Sequence, residues 1–179
     1  MMIPKEDTFT STKKELLETK KSPKLTGYKL DKEIKITTNL EESIKNSKLI
    51  VLAIPTAFIT DVCKDLKKYI KEGQHICIAS KGIEQGTCLF IHDMVSKQIK
   101  TKNIGAISGP SFAIDLVKKV PVGLSVASKN KKTRELIKEA FSNDHFKLYP
   151  TTDIIGIEVC GSVKNIIAIA SGMIDGLGY

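Results

Sequence analysis

Four short segments of the 179-residue chain hold residue types that could bind an anion or move a proton. In Gly161-Ser-Val-Lys-Asn-Ile-Ile167, Lys164 sits in an otherwise apolar helical stretch, where an ammonium group is costly unless paired or hydrated. Counting 100° per residue, Lys164, Ser171 and Asp175 fall within about 20° of one line, so the stretch carries one narrow polar stripe. Burial would depress that amine toward the range of a general base, whereas a solvated stripe at the surface is the plainer alternative. In Ser108-Gly-Pro-Ser-Phe-Ala113, Gly109 permits close backbone approach, Pro110 fixes a turn, and Ser111 stands near a helix start, where main-chain N–H groups attract anions. The Ser111 hydroxyl could equally do no more than cap that helix. Ser80-Lys81-Gly82 offers a lysine beside a flexible residue, either as an approach for a phosphate or nicotinamide or as a solvated turn. Pro55-Thr-Ala-Phe58 ends an apolar run, and Phe58 would lie against a flat heterocycle or pack as a core aromatic.

All four segments follow apolar runs. Lys48-Leu-Ile-Val-Leu-Ala-Ile-Pro55 reads as a strand buried on both faces of a parallel sheet, and residues 75–80, 103–108, 121–127 and 145–149 read as four more strands. Between them, residues 57–71, 88–100 and 131–142 have helical periodicity, the first through Phe58, Val62, Leu66 and Ile70. Alternation of this kind predicts an α/β fold with right-handed crossovers and a doubly wound, Rossmann-like parallel sheet. In such sheets ligands bind beyond the carboxyl ends of the strands, where the four segments fall. Upstream, the pattern predicts a helical patch over 11–21, a short edge strand over 33–38 and a helical turn over 41–46. From Asp153 to about Gly176 runs one long helix, apolar around most of its circumference and so expected to be buried on nearly every side.

Composition narrows the class. With 41% hydrophobic and 27% charged residues, the chain is expected to be a soluble globular protein. The formal net charge is +8, yet Arg134 is the only arginine among 28 basic residues and there is no Trp, so base readout and stacking find little support and no nucleic-acid partner is expected. Cys63, Cys77, Cys88 and Cys160 form no C-x-x-C pair, and His75, His92 and His145 are scattered, so no metal site is expected and the cysteines read as small buried hydrophobes in a reducing cytoplasm. The first residues lack the apolar core of a signal peptide. Glu158, Lys164 and Asn165 interrupt the apolar stretch 154–174, which argues for a buried helix and against a membrane span.

The segments Ile50-Val-Leu-Ala-Ile-Pro55, Ser80-Lys-Gly-Ile-Glu84, Ser108-Gly-Pro-Ser-Phe-Ala113 and Ile155 to Gly172 resemble, in order and spacing, NAD(P)-dependent glycerol-3-phosphate dehydrogenase of the bacterial type. Weaker similarity reaches back to about Leu25. The resemblance implies interconversion of glycerol 3-phosphate and dihydroxyacetone phosphate with NAD or NADP, supplying glycerol 3-phosphate for phospholipid synthesis. It implies that Lys164 is the proton acceptor and that Lys81 touches both cofactor and substrate. Gly109, Ser111 and Asn165 match substrate positions, and Pro55, Phe58 and Ala113 match the cofactor side.

Residues 1–150 are then expected to form part of a nucleotide-binding domain without its first strand and glycine-rich loop, since no G-x-G-x-x-G occurs, and 151–179 the first long helix of an all-α C-terminal domain. An incomplete form with little or no turnover by itself is the expectation. The alternative is an inactive binding or dimerising module, pairing with itself or with a full-length copy through the apolar helix.

Overall fold

The computed structural model describes residues 16–21 and 27–178. Part of the helix expected over 11–21, the start of the chain and Tyr179 lie outside them, while residues 16–19 are helical. In chain order the elements are α1 (Leu40–Ile44), β1 (Leu49–Leu52), a 3-10 turn (Thr56–Phe58), α2 (Ile59–Leu66), β2 (His75–Ile78), α3 (Ile91–Gln98) and β3 (Ile104–Ser108). There follow α4 (Ala113–Val117), β4 (Val122–Ala127), α5 (Lys131–Phe141), β5 (Phe146–Thr151) and α6 (Ile154–Gly176). Among the described residues the expected strand over 33–38 shrinks to a single bridge residue, Thr37: residues 32 and 33 turn, and Ile34 is exposed.

The five strands make one sheet in the order β1-β2-β3-β4-β5. Pairs β1–β2, β2–β3 and β4–β5 are parallel, but β3–β4 is antiparallel, with Ile107 opposite Val126. The expected Rossmann-like parallel sheet stands for three of the four pairs, and only the β3–β4 pair departs from it. The connection over residues 109–121 holds only the five-residue α4, about 7.5 Å at the usual rise against about 17 Å for β3, so this helix does not span the strand as a crossover helix does. The reversal has a consequence at the far end. Because β4 and β5 run against β3, α6 starts level with the beginning of β3 and climbs along it toward the β3 carboxyl end: Ile154 and Ile104 line one groove, and Gly161 meets Ser108.

Apolar side chains divide between the two sheet faces. Ile76 and Ile78 join Ile59, Leu66, Ile91, Val95 and Ile154 in one cluster under α2, α3 and the start of α6. Cys77, pointing the other way, joins Val126, Ile137 and Leu148 under α5. Burial pushes the Cys77 thiol up to about 12 and the Cys63 thiol to about 11, so both behave as apolar fillers. Cys88 and Cys160, expected to be buried as well, are exposed.

Three other expectations change. In β1, Val51 is 44% exposed while Leu49 on the same face is partly buried, so the strand is not fully buried on both faces. Helix α2 buries Ile59 and Cys63 together with the expected Leu66, while Phe58 belongs to a tighter 3-10 turn over Thr56–Phe58 and is exposed. Helix α6 is buried only near its start, at Ile154 and Glu158, while Ile166, Ile167, Ile169 and Met173 are each at least 60% exposed. By length and composition α6 could cross a bilayer, but its first turns are instead packed on the sheet.

Candidate functional site at the carboxyl ends of the first three strands

Ser80 builds the floor. Its Oγ accepts from the Ile54 N–H at 2.9 Å and approaches the carbonyl oxygens of Ile54 at 2.6 Å and Leu52 at 3.2 Å, so this one hydroxyl joins the ends of β1 and β2. Next to it, the Thr56 hydroxyl donates to the Lys81 carbonyl at 3.0 Å. Gly82 has φ +139, and a Cβ there would lie 2.5 Å from Thr56 Oγ1; glycine is what allows this turn to close. Lys81 is aimed from the turn toward the end of β3, where its Nζ donates to the Gly109 carbonyl at 3.3 Å.

Gly109 is held as tightly. At φ +153, a Cβ would fall 2.6 Å from Leu124 Cδ2 and 3.1 Å from Leu124 Cα, so the β3 end presses directly on β4. Ser111 follows but does not cap α4: the N-cap is Phe112, without a side-chain cap bond, which removes the capping alternative. Ala113 is the first residue of α4 and exposed, as are Pro55 and Phe58 beyond β1. Phe58 is 38% exposed, so it is not a core aromatic.

Helix α6 delivers the second lysine. Asp153 caps it through a 2.8 Å bond from the Gly156 N–H, and Glu158 anchors it one turn later. Gly161 passes so close to β3 that a Cβ would stand 2.7 Å from Ser108 Oγ and 3.7 Å from Lys81 Cγ. Ser80, Lys81, Gly82, Ser108, Glu158 and Gly161 enclose a cavity of about 10 Å³, close to the space of one water. One turn above Gly161, Lys164 Nζ lies 5.7 Å from the centroid of the Phe112 ring, within cation–π range.

Lys164 is exposed, not buried as the sequence suggested, because α6 leaves the sheet at this point. The lowered amine is that of Lys81, through desolvation first and the neighbouring Lys164 charge second. Asn165 is exposed beside Lys164. The structure thus brings Lys81, Gly109 and Gly161 together, stands Lys164 over Phe112, and leaves Pro55, Phe58 and Ala113 on the same strand-end edge. Sequence reasoning passed over Phe112 and Ser108, although both lie inside the Ser108–Ala113 segment. It also passed over the pairing of His92 with Glu158. Among the described residues no group of three His, Cys, Asp or Glu gathers as a metal site.

Two family models match the chain. The NAD-dependent glycerol-3-phosphate dehydrogenase N-terminus matches residues 6–134, and the C-terminus of the same family matches residues 153–179. Glycerol-3-phosphate dehydrogenase [NAD(P)+] of Agathobacter rectalis is 39% identical over 156 residues, covering 87% of this chain and 46% of the relative. That of Clostridium botulinum is 40% identical over 146 residues, covering 82% and 44%. Among solved structures, glycerol-3-phosphate dehydrogenase from Coxiella burnetii superposes with a TM-score of 0.86 at 29% identity, over 94% of this chain and 52% of that one. The chain spans about half the length of the curated relatives it matches.

Proposed function

The chain belongs to the NAD-dependent glycerol-3-phosphate dehydrogenase family, and from that premise we propose that it carries the proton-handling and substrate-facing part of an oxidoreductase site for glycerol 3-phosphate and dihydroxyacetone phosphate, working in the cytoplasm. The observation that carries this reading is the convergence of Lys81 and Lys164 at the carboxyl end of β3, through Gly161 packed on Ser108 and the Lys81 bond to Gly109.

Two ammonium groups on one edge suit a phosphorylated three-carbon substrate. Lys81, with Gly109 and Ser111, would receive the substrate; Asn165 would orient it; Lys164 Nζ would take the proton from the secondary hydroxyl during oxidation and return it during reduction. The nicotinamide end of a dinucleotide would find a flat face in exposed Phe58, with Pro55, Ala113 and Lys81 as its further contacts. When bound, that cofactor supplies the hydride chemistry. NAD and NADP are both compatible with these residues.

The test measures dihydroxyacetone phosphate binding by calorimetry, competitive acylation of Lys81 and Lys164, and NADH- or NADPH-dependent turnover. Expected are protection of both lysines by the ligand, with any turnover that this chain shows falling by about 100-fold or more in Lys164→Ala. A chain that neither binds dihydroxyacetone phosphate nor shows protection would refute the assignment. A second reading is favoured by the exposed apolar half of α6: the chain is a binding or dimerising module. Concentration-dependent size-exclusion elution, abolished by Ile167→Lys with Ile174→Lys, would support it.

A further inference from the structure

Outside the two lysines, a two-pronged polar contact joins α3 to α6. We propose that Glu158 is the positioning residue of this site: its carboxylate takes the main-chain N–H and the imidazole of His92 together, which fixes how far α6 advances along β3 and therefore where Lys164 stands.

The geometry is two-pronged. The His92 N–H donates to Glu158 Oε1 at 3.1 Å, and His92 Nδ1–H donates to Oε2 at 2.5 Å. Two bonds from one residue to both carboxylate oxygens define direction as well as distance. His92 is the second residue of α3, and that helix has no side-chain cap of its own, since its N-cap Phe90 has nothing to offer. An orphan N–H of the first turn is therefore satisfied from a different helix, and the negative charge meets the positive end of the α3 dipole. Glu158 is 8% exposed, so losing either partner leaves a buried polar group unpaired.

The contact reaches the site in one turn. Three residues after Glu158, Gly161 meets Ser108 and Lys81, and Ser162 Oγ donates back to the Glu158 carbonyl at 2.8 Å. A small slide of α6 would open or close the Gly161–Ser108 approach and carry Lys164 with it. Three charged groups face His92: Glu158 from α6, Asp93 on its own helix with Oδ1 3.3 Å from Nε2, and Lys129 from the β4–α5 loop. The Glu158 bond acts most strongly and holds the imidazole above its usual value, against burial and Lys129.

The last consequence, for substrate, rests on the function proposed above; the docking itself does not. The experiment uses the full chain, whose three histidines can be titrated individually by NMR, with amide exchange along α6 and calorimetric binding of dihydroxyacetone phosphate. In Glu158→Gln the His92 midpoint should fall, amides near 155–163 should exchange about tenfold faster, and affinity for dihydroxyacetone phosphate should drop about tenfold. Glu158→Asp, which keeps the charge with a shorter reach, should restore part of the His92 midpoint but little of the affinity; it also carries the same readouts where Glu158→Gln fails to fold. An unchanged His92 midpoint in Glu158→Gln, or faster exchange with unchanged affinity, would overturn the positioning role. If the wild-type chain binds no dihydroxyacetone phosphate, the proposed function falls, while the titration and exchange arms still decide the docking.

Discussion

Residues 154–161 and 166–174 belong to one continuous helix and are similarly rich in isoleucine, yet the first segment lies against β3 and the second is open to solvent. Ile154 is 5% exposed; Ile166 is 67% exposed. Apolar content does not separate them. The docked segment has a capping Asp153, a charged anchor in Glu158 and, at Gly161, no side chain where the backbone must approach Ser108. Direction and depth of docking are therefore set by a few polar bonds and one small residue, while hydrophobic burial supplies the strength.

The sharpest way to break this comparison is to remove the same side chain from each segment. Ile154→Ala should cost about 2–5 kcal/mol in urea unfolding, because the methyl groups lost are packed among Ile91, Ile104 and their neighbours. A cost near zero would mean that the start of α6 is not part of the core. Next in size is Gly109→Ala, which adds a Cβ at φ +153 against Leu124; about 1–3 kcal/mol is expected by the same measurement, and with it loss of the Lys81 bond to the Gly109 carbonyl.

These two sites also show what could be read from the sequence. Gly109 and Lys81 stood out because a glycine or a lysine at the end of an apolar run is a local signal, and the runs themselves became β1 to β5 nearly in place. Lys164 stood out by type, but its exposure did not, because helical periodicity reports that a stretch is apolar and not what covers it. The antiparallel β3–β4 pair turned on α4 being five residues long, a detail below the resolution of a residue pattern. His92 and Glu158 lie 66 positions apart, so no local spacing could join them. Boundaries slipped where two helix types met, as at Thr56–Ile59.

A smaller effect sharpens the docked half further. Asp153→Ala removes the N-cap bond to Gly156 and should cost about 1 kcal/mol, roughly the usual value for a lost cap. His92 adds a pH signature. Its folded-state value is raised above the ordinary 6.5, so its contribution is fully present below about pH 6.5 and is lost as pH rises through the higher folded value. The stability difference between wild type and His92→Gln should therefore shrink on going from acidic to alkaline buffer; a difference that grows would reverse the assigned sign.

The smallest expected change is the control for all of these. Ile166→Ala and Met173→Ala remove side chains that are 67% and 64% exposed, so each should alter the unfolding free energy of the monomeric chain by no more than about 0.5 kcal/mol. Measured over a hundredfold range of protein concentration, the same two variants separate strength from partnership. If their cost stays small throughout, the outer half of α6 contributes nothing to this chain alone, and the docked half accounts for the attachment of the helix. If the cost grows with concentration, the exposed isoleucines bind a second copy, because only association makes stability depend on concentration. In that case the difference between the two halves is one of partner, with β3 for the first and another α6 for the second.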